Sequence, residues 1–286
     1  MFALLIIGVI YVVFSLTKID WESLKGIQII MPALLTAISF QFLCSIIVVY
    51  TWQQCVVSSG FKKYRLLDSF RQYGYASIGK YVPGKLFGLI GRGALVHSQS
   101  KSLNVSVSSA LKEQLALLHS GVSLCALFFL VNYSYYLWGG GLFCIVILSV
   151  IYMDKILSLS YLSRFSVTKG FSELQWSGYT KIYLLLSIVW ILSAYSVYFC
   201  TNAVQPQSEF TVLQAVYVTS AAYIVGFIAI FIPGGLGVRE GMFVLLLTPQ
   251  FGVFSLAISI IYRAITVFLD LLFGLISILL SLRVIK

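Results

Sequence analysis

The sequence predicts an all-α polytopic membrane protein with about six transmembrane helices and two re-entrant helical hairpins in an inverted repeat. Three observations predict it. Hydrophobic residues make up 60% and charged residues 10% of the 286 positions, against about 45–50% and about 25% in soluble domains. The mean hydropathy is +0.98, which leaves too little polar surface to cover a soluble globule. Long apolar runs recur along the chain, and two of them are interrupted by Pro-Gly.

The predicted spans are runs close to the ~20 apolar residues that cross a bilayer. The first run has no basic segment before it and no small-residue cleavage pattern, so we interpret it as a retained helix rather than a signal peptide. The last run carries two charged residues inside it. In chain order the predicted spans are Phe2–Leu16, Ile27–Tyr50, Glu113–Val131, Leu137–Met153, Ile182–Cys200 and Phe251–Leu282.

Two segments, Leu66–Val96 and Val212–Leu247, fit no simple span. The first is too polar for contact with lipid, and the second is apolar but broken by the string FIPGGLGVREG. Pro lacks a backbone donor and Gly tolerates unusual dihedral angles, so Pro-Gly ends a helix. Interrupted backbone at membrane depth persists only where protein or a watery cavity surrounds it. Both segments are therefore predicted to be re-entrant hairpins.

The two breaks resemble each other at an offset of 150 residues, with YVPGKL at 81–86 and FIPGGL at 231–236. The chain is therefore predicted to be a single integral membrane domain, residues 1–286, with weak internal repeats at about 27–96 and 182–247. Chance likeness between short apolar strings is the competing explanation. A pair of Gly/Pro interruptions in two halves of a chain is nevertheless the best sequence pointer to the central site of a transporter.

The distribution of basic residues predicts the orientation of the chain in the membrane. Lys and Arg number 19 against 9 acidic residues, and they gather in residues 51–112, in residues 154–181 and at the C-terminus. Residues 132–136 and 201–211 contain none. Because basic loops stay in the cytoplasm, we expect both termini inside, in a bacterial-type inner membrane. The first hairpin then enters from the cytoplasm and the second from outside.

Two motifs carry a resemblance to a known family. The strings SIGKYVPGKLFGLIGRGALV and FIPGGLGVREG, followed by Arg263 on the last long helix, resemble the lysylphosphatidylglycerol synthase transmembrane region family, also called the flippase-like domain family. Bifunctional members of that family carry a soluble aminoacyl-transfer domain after the membrane part. This chain ends at Lys286 without one, so the resemblance implies the translocase-like half alone. In the family that half is associated with moving lipids or lipid-linked groups between leaflets.

The chemistry of the breaks predicts an anion site. A helix that begins after Pro-Gly points unpaired N–H groups and a partial positive charge at the break, which suits a phosphate or carboxylate. Arg grips phosphate with two parallel hydrogen bonds, whereas Lys acts as a point charge. Close helix packing at the glycines is the alternative explanation. The candidate substrate-binding residues are Lys80, Pro83, Gly84, Lys85, Arg92, Pro233, Gly234, Gly235, Gly237, Arg239, Glu240 and Arg263.

Charges inside a span usually face a cavity or a partner. Arg263 either adds to the anion site or pairs with Asp270 or Glu240 as an internal strut, and Asp270 is a coupling or a structural acid. His97 and His119 make no metal-ligand pattern, so we expect no metal and no cofactor. The five cysteines include no Cys-x-x-Cys pair, which disfavours a zinc site or a disulfide framework.

The expected function is a translocase, not an enzyme, that moves an anionic lipid or a lipid-phosphate-linked glycan precursor between leaflets during envelope lipid or polysaccharide synthesis. Two alternatives stay open. A membrane-embedded transferase would need a base or metal-binding carboxylate at the membrane edge, where Asp68 and Asp154 stand alone. A non-catalytic scaffold would organise envelope-synthesis enzymes. Expected partners are membrane lipids, a second copy of the chain or such enzymes, and no nucleic acid, because the positive charge is tied to membrane edges.

Overall fold

A computed structural model describes residues 28–79, 96, 103–132, 136–158, 178–206, 208–228, 235 and 237–282. Within these residues the chain forms eight α-helices and no strand. Apolar runs without β-branched alternation favour helices, because a helix satisfies all of its own backbone hydrogen bonds in lipid. The helices are α1 Met31–Ser58, α2 Leu66–Gly79, α3 Leu103–Asn132, α4 Tyr136–Ser158, α5 Tyr179–Val204, α6 Val212–Ile228, α7 Val238–Phe251 and α8 Phe254–Leu282.

Four of these helices, α1, α3, α5 and α8, are long and apolar enough to cross a membrane. Apolar stretches in α4 and α6 are shorter, at Gly140–Met153 and Val212–Ile228. The prediction of an all-helical integral membrane protein is therefore confirmed. The predicted first span, Phe2–Leu16, lies outside the described residues.

Two helices extend further than the hydropathy of the sequence predicted. Helix α1 continues to Ser58 instead of ending at Tyr50, and α3 begins at Leu103, ten residues before Glu113. The reason is that the bundle itself satisfies the polar side chains in the added turns. Lys112 is 0% exposed, and its Nζ donates to Ser58 Oγ at 2.9 Å. Lys112, which hydropathy assigns to the edge of the membrane, therefore lies in the interior of the bundle.

The helices run between two ends of the bundle, which we name face A and face B. At face A the N–H of Ile30, just before α1, donates to the carbonyl of Ala203 near the end of α5, at 2.9 Å. At face B, Lys181 Nζ near the start of α5 donates to Gln54 Oε1 near the end of α1, at 2.8 Å. A buried apolar cluster occupies each end. Helices α1 and α5 therefore form an antiparallel frame.

Helices α6 and α7 form a hairpin that opens at face A. Phe210, just before α6, and Phe251, the last residue of α7, lie with ring centroids 5.3 Å apart in a T-shaped contact. Both belong to the cluster at face A. The chain thus leaves face A along α6 and returns to it along α7. Between these helices, residues 229–234 and 236, with Pro233 and Gly234, lie outside the described residues.

Helix α2 begins at the opposite end. Its Gln72 Oε1 accepts a hydrogen bond from Trp52 Nε1 near the end of α1, at 2.8 Å. Val96, beyond the first Pro-Gly break, lies in the same buried cluster at face B as Trp52 and Tyr64. The chain therefore enters this segment from face B and is back at face B by residue 96. The two Pro-Gly segments are entered from opposite ends of the bundle.

A pair of glycines brings α2 directly against α8. A Cβ on Gly74 would lie 2.5 Å from the carbonyl oxygen of Phe273, and one on Gly274 would lie 3.3 Å from the carbonyl oxygen of Gly74. At the face B end of the same contact, Arg71 Nη2 donates to the carbonyl of Leu280 at 3.1 Å. Because small residues let backbones approach this closely, α2 is fixed along the last half of α8.

Replacing Gly74 by Ala should lower the stability of the protein. The new methyl group has no room beside Phe273, and overpacking of this kind costs about 1–3 kcal/mol. The melting temperature in detergent measures the effect. Gly140→Ala is the matched control, since a Cβ at Gly140 meets nothing within 4 Å and Ala favours a helix over Gly by about 1 kcal/mol. Equal melting temperatures for the two variants would contradict the close contact.

Candidate functional site

A cavity of about 540 Å³ lies in the middle of the bundle, between the apolar clusters at face A and face B. Side chains from α1, α2, α3, α5, α6, α7 and α8 line it. Its volume falls in the range of about 300–1,000 Å³ typical of sites that bury a small molecule. Glu113, Arg239, Glu240, Arg263 and Asp270 are the charged lining residues in the described part of the chain.

Arg239 stands at the tip of the second hairpin, in the first turn of α7. Its guanidinium carbon lies 4.1 Å from the centroid of the Tyr223 ring on α6, a cation–π contact. The side chain runs past Gly226 and Gly235, and a Cβ on either glycine would press against it. Gly235 also has a φ of +69°, which favours glycine. The glycines of this tip therefore make room for the arginine.

Arg239 Nε is buried and finds no hydrogen-bond acceptor among the described residues. A buried charged donor without an acceptor is costly, and the side chain lines the cavity. The guanidinium forms no ion pair among the described residues, so its charge is available to an anion in the cavity.

A chain of contacts through three helices orients the Tyr223 ring. The ring packs edge to face with Trp190 on α5, with centroids 5.0 Å apart and planes at 85°. Trp190 Nε1 in turn donates to Ser120 Oγ on α3 at 3.1 Å, and Gly121 lies against the indole. The position of Arg239 is therefore set by α3, α5 and α6 together.

Glu240 joins the hairpin tip to the last helix. Its Oε2 accepts the N–H of Gly237 at 2.7 Å and so caps the first turn of α7, as in a capping box. Its Oε1 lies 3.0 Å from Arg263 Nε on α8, in an ionic contact rather than an aligned hydrogen bond. Of the two partners that the sequence offered Arg263, the structure thus brings Glu240 into contact. The Glu240 carboxylate therefore caps the start of α7 after the break and also holds this end of α7 against α8.

Asp270 and Glu113 are buried and line the cavity, 5% and 3% exposed. Both are engaged with other groups of the protein. The remaining residues that the sequence analysis proposed for the site lie outside the described residues, so the structure places none of them. They are Lys80, Pro83, Gly84, Lys85, Arg92, Pro233 and Gly234.

A hydrogen-bonded chain crosses the cavity wall from α8 to α1. Tyr262 OH lies 2.7 Å from Ser193 Oγ on α5, and Ser193 Oγ donates to Gln41 Oε1 at 3.4 Å. Because Ser193 has one hydroxyl hydrogen, the Tyr262 hydroxyl donates to Ser193. The chain therefore ends on the side-chain amide of Gln41.

The sequence did not predict several of the residues that line the cavity. Trp190, Tyr223 and Tyr262 sit in unbroken apolar helices, where an aromatic residue gives no signal that distinguishes a cavity from the bundle core. Glu113 was assigned to a span end. The sequence carries no sign that Glu113 and its fully buried neighbour Lys112 are interior, because two adjacent charged residues are typical of a membrane edge.

Other polar residues noted in the sequence lie away from the cavity. His119 Nδ1 is 3.1 Å from Tyr179 OH and its Nε2 is 2.9 Å from Ser149 Oγ, which ties α3, α5 and α4 together near face B. Asp68, at the start of α2, is 3.2 Å from Arg65 Nε. No group of three His, Cys, Asp or Glu side chains that could hold a metal is found among the described residues.

The fold and the cavity define a helical integral membrane protein with a charged site inside the bundle, at the tip of a broken helix. The chain belongs to the lysylphosphatidylglycerol synthase transmembrane region family, whose model matches residues 1–274. The resemblance carried by the two Pro-Gly motifs is thereby confirmed. A search of curated proteins found no match.

Replacing Glu240 by Gln should destabilise the protein while keeping the acceptor that caps α7. The change removes the carboxylate beside Arg263, and side chains that are 16% and 21% exposed feel this loss at about 1–3 kcal/mol. Thermal melting in detergent measures it. The double variant with Arg263→Gln should recover part of the loss, because neither charge is then left alone.

Glu209→Gln is the matched control, since it removes the carboxylate of an exposed residue between α5 and α6 that does not line the cavity. Surface substitutions of this kind usually change stability by no more than about 0.5 kcal/mol. If Glu240→Gln costs no more than Glu209→Gln, the ion pair does not hold the hairpin to α8.

Proposed function

We propose that this protein is a membrane lipid translocase that moves an anionic lipid, or a lipid-phosphate-linked glycan precursor, between leaflets. In this proposal it works without covalent catalysis, in the synthesis of cell-envelope lipid or polysaccharide. Membership of a family whose membrane domain is linked to lipids supports the lipid part of the proposal. The single observation that carries it is the Arg239 side chain, which lines the central cavity and forms no ion pair among the described residues.

The geometry supports an anionic headgroup as the cargo. Arg239 stands in the first turn of α7, where the helix dipole adds partial positive charge. A phosphate that enters the cavity would pair with the guanidinium of Arg239, and Arg263 lines the same cavity. Glu240, which already faces Arg263 at 3.0 Å, would then share that cation with the phosphate. The acyl or isoprenoid chains would stay among the lipid-facing apolar residues of the bundle.

The entry of the two Pro-Gly segments from opposite faces supports alternating access. A mid-bundle site between two half-length helical segments can open to one face while the other stays closed. In the proposed orientation face B is cytoplasmic, the second hairpin enters from outside, and both segments are re-entrant. The partners that the proposal requires are membrane lipids. A gradient or consumption of the cargo on the far side would drive net movement.

Arg239→Ala should slow the exchange of a fluorescent anionic lipid in proteoliposomes about tenfold to a hundredfold, because a hydrogen bond to a charged group contributes about 1.5–3 kcal/mol. Arg239→Lys should keep part of the rate, since a point charge remains. Loss of label after addition of a membrane-impermeant quencher measures the exchange.

Arg65→Ala is the matched control for this experiment. It removes a positive charge from an exposed side chain at face B, outside the cavity, and should leave the rate unchanged. Folding of each variant is checked by gel filtration and melting temperature. A wild-type rate for folded Arg239→Ala would overturn the anion site, and an absence of exchange by the wild type would overturn the translocase itself.

Cysteines placed at the two faces should react from opposite sides of the membrane. Lys62→Cys lies in the exposed loop between α1 and α2, and Val253→Cys lies between α7 and α8, where the native side chain is 46% exposed. With the exposed Cys144 changed to Ser, an impermeant maleimide should label position 253 in intact spheroplasts and position 62 only in inverted vesicles. Labelling of both positions from one side would reject the proposed topology.

A further inference from the structure

Four hydroxyl groups on the cavity wall donate to main-chain carbonyls, as Ser and Thr in helices commonly do. Thr219 Oγ1 donates to the carbonyl of Ala215 at 2.6 Å, and Thr266 Oγ1 donates to the carbonyl of Arg263 at 2.8 Å. Two serines, on α1 and α8, likewise donate to main-chain carbonyls at 3.4 Å. A hydroxyl has one hydrogen, so each of these groups can offer only its lone pairs to anything in the cavity. These four groups therefore offer acceptors to a ligand in the cavity.

A bare phosphate fits one part of this cavity and not the rest. Phosphate oxygens accept hydrogen bonds, and the guanidinium of Arg239, which lines the cavity, is the cation that would pair with them. Against the hydroxyl oxygens of Thr219 and Thr266 the same phosphate would bring acceptor against acceptor. The cavity, at about 540 Å³, also has room for more than a phosphate. A complementary cargo carries hydrogen-bond donors next to its phosphate.

Neutral hydroxyls suit this cavity better than an amine as the hydrogen-bond donors of the cargo. An ammonium group needs a carboxylate, and each described carboxylate on the cavity wall is already engaged. Glu240 holds Gly237 N–H and Arg263, and Glu113 and Asp270 are engaged with other groups. Hydroxyls form neutral hydrogen bonds with the wall and leave the charge balance unchanged.

From this pattern we infer that the cavity selects a phosphate ester that carries several hydroxyl groups, as a sugar or a cyclic polyol does. The inference rests on the proposed translocase function and names the cargo of that same site. Arg239 binds the phosphate, and the threonine and serine oxygens of α1, α6 and α8 accept hydrogen bonds from the hydroxyls. The same chemistry could come from a lipid headgroup or from a soluble sugar phosphate, so the experiment contains an arm for each.

The lipid arm compares three acyl-labelled lipids of equal net charge in proteoliposomes. Phosphatidylinositol carries a polyol, phosphatidylmethanol carries no hydroxyl, and phosphatidylserine carries an amine. Wild-type protein should exchange phosphatidylinositol about tenfold faster than phosphatidylmethanol, as one or two extra hydrogen bonds of about 0.5–1.5 kcal/mol each imply. Equal rates, or faster exchange of phosphatidylserine, would overturn the inference and leave the translocase proposal standing.

The double variant Thr219→Val/Thr266→Val removes two acceptors at nearly constant volume. It should lower phosphatidylinositol exchange about tenfold and leave phosphatidylmethanol exchange unchanged. Thr36→Val is the matched control, because the Thr36 hydroxyl also donates to a carbonyl within its helix, at 2.8 Å, but in an exposed position that does not line the cavity. A double variant with wild-type selectivity would contradict the role of the hydroxyl oxygens.

The soluble arm tests the inferred selectivity for a polyol phosphate by binding alone, independently of lipid exchange. Melting temperatures in detergent are compared with myo-inositol 1-phosphate and with inorganic phosphate at equal concentration, since a ligand that binds the folded protein raises stability. A larger rise with inositol phosphate that disappears in the threonine double variant supports the inference. The same rise without lipid exchange assigns the site to a soluble phosphate ester and overturns only the translocase. No rise with inositol phosphate and no lipid exchange would reject both.

Discussion

The architecture depends on how a helix can stop inside an apolar helical bundle. Buried backbone N–H and C=O groups have no bulk water to bond there, so an interruption needs partners within the protein. At the second break the carboxylate of Glu240 supplies such a partner, since it accepts the N–H of Gly237 and faces Arg263 on the neighbouring helix. One side chain thus makes the broken helix tolerable and also places two opposite charges at the cavity. The structural need and the candidate chemistry arise from the same contact.

The distribution of apolar and polar residues follows from this arrangement. Two apolar clusters, one at each face, hold the ends of the long helices together. The middle of the bundle contains the cavity and its polar lining. Thr219 and Thr266 are compatible with such a wall because they bond to carbonyls of their own helices and need no partner across the space. The wall is therefore stable when empty and still carries lone pairs for a ligand.

How much of this was predictable differs between features. The membrane class and the family could be predicted, because they depend on composition and on contiguous Pro-Gly motifs, which are visible in the sequence without the fold. The helix ends could not, since Lys112 and Glu113 read as a membrane edge until the fold shows their neighbours. The structure places Arg239, Glu240 and Arg263 around one cavity, and these three had been proposed from the sequence. The stacking of Arg239 on Tyr223 depends on tertiary packing between α6 and α7, and nothing in an apolar run distinguishes that tyrosine from its neighbours.

The buried lysine of α3 has a consequence for how the protein is made. A charged residue costs about 2.5–3.5 kcal/mol at the centre of a membrane helix on translocon scales, and less toward its ends. Lys112 lies about a third of the way along α3, where it is fully enclosed and bonded to Ser58 at the end of α1. The contact between Lys112 and α1 therefore offsets part of the free-energy cost of inserting α3 into the bilayer. We therefore expect biogenesis of this chain to be sequential, with α1 retained beside the insertion channel until α3 arrives, so that the two partition into lipid as a pair.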